Sequence, residues 1–278
     1  MNYGRGRATR LGIAACVTIS IFLSGMSAVA DVAGTIVQKG NATPLTGQIR
    51  WLPATKKYVI TTTDRMTVTL LPSQVSKVTV QEPAEYKGLV QMVKSGQFSA
   101  AIPGFEKLIS DYAMLQWDVE AAPYLADSYF RTGKAAKAIE LCDKIAEDNP
   151  SATASGPLFL VYCEALLQTQ KSDKLKKVLD KAEEKGKELG DRKLLARVQL
   201  KRGDVLKAGN MLKDALTEGY LRVIALYQDV KEIQPEALYK ACKSFEELSQ
   251  LGNAERMRRK LLAEYPQDPF AERLKAGN

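Results

Sequence analysis

A short turn recurs along this chain at nearly constant steps, and that recurrence limits the fold more than any other feature of the sequence. Gly96-Gln97, Gly133-Lys134, Gln170-Lys171 and Gly203-Asp204 follow one another at steps of 37, 37 and 33 residues. Self-similarity at a fixed period of roughly 20–50 residues marks a repeat architecture, in which each unit leaves apolar surface bare until the next covers it. Behind each turn an apolar set returns at helical spacing: Ala101, Ile102 and Phe105; Ala138 and Ile139; Leu179 and Ala182; Ala208, Leu212 and Ala215. A further turn is read at Leu251-Gly252-Asn253-Ala254, 49 residues after Gly203. The excess of about 15 residues is assigned to one lengthened helix near 213–230, ended before Pro235, which opens the next helix.

The segment 119–150 carries the most detailed pattern. Leu125-Ala126, the aromatic Tyr129, Gly133 at the turn, Ala138 on the second helix and the closing Pro150 resemble a tetratricopeptide repeat (TPR), whose period is about 34 residues. Cys142 and Ile145 depart from that pattern, standing where a bulky residue and Ala are usual. The C-terminal Leu262-Ala263-Glu264-Tyr265-Pro266 with Ala271 is similar to the last repeats of periplasmic TPR proteins of bacterial envelopes. The resemblance implies a mainly α protein, with a right-handed TPR-type α-solenoid of about five helix pairs over residues 84–278. Ala101, Ala138 and Ala208 would let paired helices approach closely. Phe105, Tyr129, Phe130, Leu179 and Leu212 would fill the space between layers.

Ahead of the repeats, residues 31–83 change to period 2 and are rich in Val, Thr and Ile. Val32–Gln38, Leu45–Trp51, Lys57–Thr63, Met66–Leu71 and Val75–Val80 read as five short strands punctuated by Lys39-Gly40-Asn41, Pro53-Ala54-Thr55, Thr63-Asp64-Arg65 and Pro72-Ser73. Their lengths and turns resemble a small SH3-like or Sm-like antiparallel barrel. So small a unit buries little core and is expected to lean on its neighbour.

Residues 1–30 read as a secretory signal. Arg5, Arg7 and Arg10 precede an apolar run from Leu11 to about Leu23, and Ala28-Val29-Ala30 supplies the small residues for cleavage before Asp31. The run is shorter than the roughly 20 apolar residues of a membrane span. Ile13-Ala14-Ala15-Cys16 resembles a lipobox, but the apolar run continues past Cys16, which favours cleavage after Ala30 over lipid anchoring. The expected location is periplasmic or secreted. The formal charge of +8 includes three arginines of the signal and falls to +5 without them. That mild charge, in an exported chain, argues against nucleic acid as a partner. Residues 171–202 hold twelve Lys/Arg and six Asp/Glu. A solvated helix face is the simplest reading of them, and peripheral contact with anionic lipid the alternative. Cys142, Cys163 and Cys242 remain after cleavage, with no CxxC spacing; a Cys142–Cys163 disulfide and burial as free thiols both stay open.

The chain contains no histidine. That excludes every catalytic triad, haem site or zinc site built on imidazole. No Gly-rich phosphate loop or GxSxG elbow occurs either, and adjacent carboxylates such as Glu183-Glu184 and Glu246-Glu247 point about 100° apart on a helix. No enzyme, cofactor or metal site is expected. The TPR resemblance instead implies a groove lined by the first helix of each pair. Carried over position by position, it gives Tyr86, Val90, Val93 and Lys94; Glu120, Asp127, Phe130 and Arg131; Leu160, Glu164, Leu167 and Gln168; Lys193, Arg197, Leu200 and Lys201. Such a groove would run from apolar through acidic to basic and suit a protein or peptide partner in the cell envelope. The alternative is a structural spacer or a component of a homo-oligomer, whose β module makes the partner contact.

Overall fold

The computed structural model describes residues 31–41 and 43–277. The expected signal and Cys16 lie outside the described residues.

Five antiparallel strands come first: β1 (Val32–Gln38), β2 (Leu45–Leu52), β3 (Lys57–Thr62), β4 (Thr67–Leu70) and β5 (Val75–Val80), with a 3-10 turn at Pro72–Gln74 before β5. Their spatial order is β4-β3-β2-β1-β5. The barrel expected from the sequence is not closed. Among the described residues β4 and β5 form the two outer edges and pair only inward, so the module is an open five-stranded sheet. Alternation sends Val32, Ile36, Ile49, Trp51, Tyr58, Ile60, Leu70 and Val80 to one buried set. That set is completed from outside the sheet by Leu115, which is fully buried in it. Burying a leucine contributes about 1.5–3 kcal/mol. Tyr58 donates its hydroxyl to the Met114 carbonyl at 3.0 Å, and the Trp117 indole donates to the Val80 carbonyl at 3.3 Å. The sheet thus leans on the helical part, as its small size requires.

The helices are α1 (Tyr86–Lys94), α2 (Phe98–Asp111), α3 (Trp117–Arg131), α4 (Ala135–Asp148), α5 (Gly156–Gln168), α6 (Ser172–Leu189), α7 (Arg192–Ala208), α8 (Leu212–Asp214), a π segment (Ala215–Tyr220) running into α9 (Leu221–Leu226), α10 (Gln234–Glu247), α11 (Leu251–Glu264) and a short α12 (Pro269–Lys275). They pair as α1/α2, α3/α4, α5/α6, α7/α8–α9 and α10/α11, which gives the five expected pairs. Every pair turns in the same way. Gly96, Gly133, Gln170, Asn210 and Ser249 all take a left-handed backbone, with φ of 79, 75, 57, 60 and 57°. In each turn the next N–H reaches back five residues: Gln97 to the Met92 carbonyl, Lys134 to Tyr129, Lys171 to Leu166, Met211 to Leu206 and Gln250 to Phe245. These are Schellman closures, which satisfy carbonyls left orphaned at a helix end.

Two turns were misplaced by the sequence reading. The fourth falls at Asn210, not Gly203, and the fifth at Ser249, not Gly252. Gly203 lies inside α7 and Gly252 inside α11. No lengthened helix is therefore needed to fill the last interval, and the stretch before Pro235 is a near-continuous α8–π–α9 helix of ordinary length. Gly203 serves close packing instead. A Cβ on Gly219 of the π segment would stand 2.4 Å from the Gly203 Cα, so two glycines let the π segment touch the backbone of α7.

Two apolar clusters fill the helical part. One runs from Leu89 to Val205, the other from Ala196 to Leu274, and α7 contributes to both. Cys142, Cys163 and Cys242 are free and buried. Burial pushes the Cys142 thiol up to about 12 and the Cys242 thiol to about 11, so both stay protonated.

Candidate functional site

The first helices of the pairs, α1, α3, α5, α7 and α10, carry every residue expected on the groove. The structure sorts those residues into two groups. Tyr86 is drawn into an aromatic set, its ring 4.8 Å from Trp117 and 6.2 Å from Tyr124. Val90 and Phe130 are half-buried against the apolar core, and Val93 is inside it. Lys94 and Gln168 are exposed, and Asp127 pairs with Arg131 one turn on at 3.2 Å. None of these borders the two hollows between α5, α7 and α10.

Glu164, Arg197 and Lys201, with Leu160, Leu167 and Leu200, are brought together at two adjoining hollows between α5, α7 and α10. One holds about 180 Å3 and is bounded by Leu160, Glu164, Arg197, Leu200, Lys201 and Glu236. The other holds about 500 Å3, with Glu164 and Leu167 on one wall, Asp204 and Lys207 on its floor, and Tyr239, Lys240 and Lys243 opposite. Their shared feature is a chain of alternating charge. The Lys201 ammonium contacts Glu164 and lies 3.4 Å from Asp204. Asp204 is 2.8 Å from Lys240, which is 2.6 Å from Glu236. The Tyr220 hydroxyl donates to Asp204 at 3.0 Å. The side chains of Lys201 and Asp204 are only 8% and 9% exposed. Burial works against the charge on Lys201, but Asp204 and Glu164 outweigh it and hold its proton above the ordinary lysine range. Burial, reinforced by Asp204, likewise pushes the Tyr220 hydroxyl up.

The basic end expected for the groove is neutralised. Lys193 and Arg197 both reach Glu232, in the loop before α10, the latter at 3.6 Å. Arg192 makes a two-pronged pair with Asp229 of the same loop, with both contacts at 2.6 Å. Sequence reasoning missed Asp204, Tyr220, Lys240 and Glu236. With the turn at Asn210, counting back along α7 puts Asp204 in the same register as Glu164 and Asp127, so correct turn placement was the signal that finds it. Among the described residues no group of three acidic or cysteine side chains is placed to hold a metal ion.

No protein-family model and no curated protein matches the chain. Solved structures do. TTC0263, a thermophilic TPR protein of Thermus thermophilus, is 21% identical, with a TM-score of 0.51 over 69% of this chain and 95% of that one. BtubC from P. vanneervenii is 18% identical, with a TM-score of 0.52 over 65% of this chain and 80% of that one. A Rap protein complexed with competence and sporulation factor is 13% identical, with a TM-score of 0.54; this chain spans 55% of its length. At these identities the likeness is one of fold, and the helical part of this chain has the fold of TPR-repeat proteins.

Proposed function

We propose that the chain is a non-enzymatic adaptor, exported to the periplasm or secreted, that binds an extended protein or peptide partner along the face formed by α5, α7 and α10. The observation that carries this reading is the pair of adjoining hollows on that face. They offer apolar walls at Leu160, Leu167 and Tyr239 beside charges whose mutual pairing fixes their positions. A fixed mixture of apolar pockets and oriented charge favours recognition of a segment over non-specific adhesion. The Rap protein, which shares the fold, was solved with a bound factor, and interaction scaffolding is the role this likeness suggests. The export signal in the sequence directs the reading to the cell envelope or beyond it.

The test is capture from a cell-envelope extract by the chain beginning at Asp31, against the variant Leu167→Glu/Tyr239→Ala with its circular dichroism unchanged. Loss of the captured partner in the variant supports the reading. Equal capture by both chains overturns it. A native N-terminus at Asp31, read by sequencing the protein from its own cells, checks the export step.

A further inference from the structure

A second concavity lies between the sheet and the helices, apart from the hollows above. It holds about 460 Å3 and is bounded by β5, the start of α3 and the end of α4. Two buried oxygens of residues lining it, Asp118 Oδ1 and Gln116 Oε1, have no hydrogen-bond partner among the described residues. Asp118 is only 6% exposed, and its other oxygen accepts the Met114 N–H at 2.8 Å. Asp148 and Glu120 line the same cleft. Among the described residues none of these three carboxylates is ion-paired, and Lys77 on the rim is exposed and pairs with none of them. A buried acceptor left without a donor is costly, and a buried carboxylate calls for a cation. The cleft therefore asks for a ligand that donates hydrogen bonds and carries positive charge.

Its other wall supplies backbone. Among the described residues β5 pairs with β1 alone, so its far side is a sheet edge that no other described strand covers. The Trp117 indole reaches the Val80 carbonyl from that side. In the antiparallel register, Val80 opposes Gly34 and Val78 opposes Ile36, so the outward orientation of Val80 returns at Val78, which lines the cleft. An outward N–H and C=O on an unpaired edge are a template for an added strand.

We infer that this cleft binds an extended basic peptide segment, whose backbone adds to β5 at Val78 while one Lys or Arg side chain reaches Asp118, Gln116 and Asp148. Guanidinium, with five donors in a planar fork, matches several oxygens at once. This site is independent of the hollows on α5, α7 and α10.

The experiment uses isotope-labelled chain from Asp31 and the capped peptide Ser-Val-Thr-Arg-Thr-Val-Ser, with Glu and norleucine versions at the central position. Amide NMR shifts at Ser76 and Val78 are expected with the Arg peptide, and at least tenfold weaker affinity with the other two. Asp148→Lys places a cation in the cleft at the end of α4, where positive charge suits the helix dipole. It should keep the fold and weaken the Arg peptide at least tenfold. Gln116 has φ of 80°, so Gln116→Gly should also fold, and should weaken binding severalfold. Equal affinity for the three peptides, unchanged affinity in Asp148→Lys, no binding of the Arg peptide at millimolar concentration, or shifts confined to α5, α7 and α10 would each overturn the proposal.

Discussion

Replacing Asp204 by Asn keeps the shape of the side chain and removes the charge at the hub of the α5–α7–α10 face. The carboxylate is 9% exposed and has three partners: Tyr220 at 3.0 Å, Lys240 at 2.8 Å and Lys201 at 3.4 Å. Removing one member of a buried ion pair costs about 3–5 kcal/mol, because the other charge stays buried without compensation. Here Glu164 still serves Lys201 and Glu236 still serves Lys240, which places the cost near the lower end, about 3 kcal/mol. For a chain of this size each kcal/mol moves the melting temperature by about 2–4 °C, so a fall of about 6–12 °C is expected. The location of the loss is a sharper test than its size. Both tryptophans, Trp51 and Trp117, sit in or beside the sheet, whereas far-UV circular dichroism reports all the helices. In a solenoid, stability is roughly a sum of repeat and neighbour terms, so a lesion in α7 loosens the C-terminal repeats first. Urea unfolding of Asp204→Asn should show the dichroism transition moving to lower urea, with the tryptophan transition moving less. If both transitions moved together by less than about 0.5 kcal/mol, the cluster would be an ordinary solvated set of ion pairs and the reasoning would fail.

Three further outcomes are expected. Gly219→Ala would put a Cβ 2.4 Å from the Gly203 Cα and force the π segment off α7, at a cost of about 1–3 kcal/mol by urea unfolding; Gly252→Ala, with open space around it, should cost nothing or slightly stabilise. Gly133→Ala meets no neighbour but must hold φ near 75°, so about 1–2 kcal/mol of pure backbone strain is expected, while Gln170→Gly at the equivalent turn should gain up to about 1 kcal/mol. Asp229, held by Arg192, has its carboxyl lowered from 3.8 to about 2. Its folded form takes up a proton less readily than the unfolded chain, so its stabilising contribution is present above pH 3.8 and is lost as pH falls through that value toward 2. Acid unfolding of Asp229→Asn should accordingly be flatter than that of the parent in this window.

The strands were legible almost to the residue, because period-2 alternation and the turns at Lys39-Gly40, Pro53 and Pro72 act locally. The turns at Gly96 and Gly133 were legible for the same reason: glycine is the residue that enters the left-handed region without penalty. Asn210 and Ser249 take the same conformation without that signal, and two other glycines drew the reading away from them. Gly203 is explained by the Tyr220 ring, which a Cβ there would meet at 2.6 Å, and by Gly219 packing on its backbone, both at least sixteen residues on, and no local pattern encodes a contact between two helices. The groove shows the same limit. Lys193 and Arg197 read as a free basic patch until Glu232 arrives from a loop more than thirty residues away. The open sheet was misread as a barrel because strand length does not show whether the outer edges meet.

Binding on the α5–α7–α10 face is tested most directly by a photo-crosslinking residue placed at Leu167, beside the larger hollow, and in a separate chain at Lys181, exposed on α6. Irradiated in its native cells, the Leu167 chain should join to a discrete partner and the Lys181 chain should not. Equal products from both positions, or none from Leu167 beside a clear product from Lys181, would contradict it.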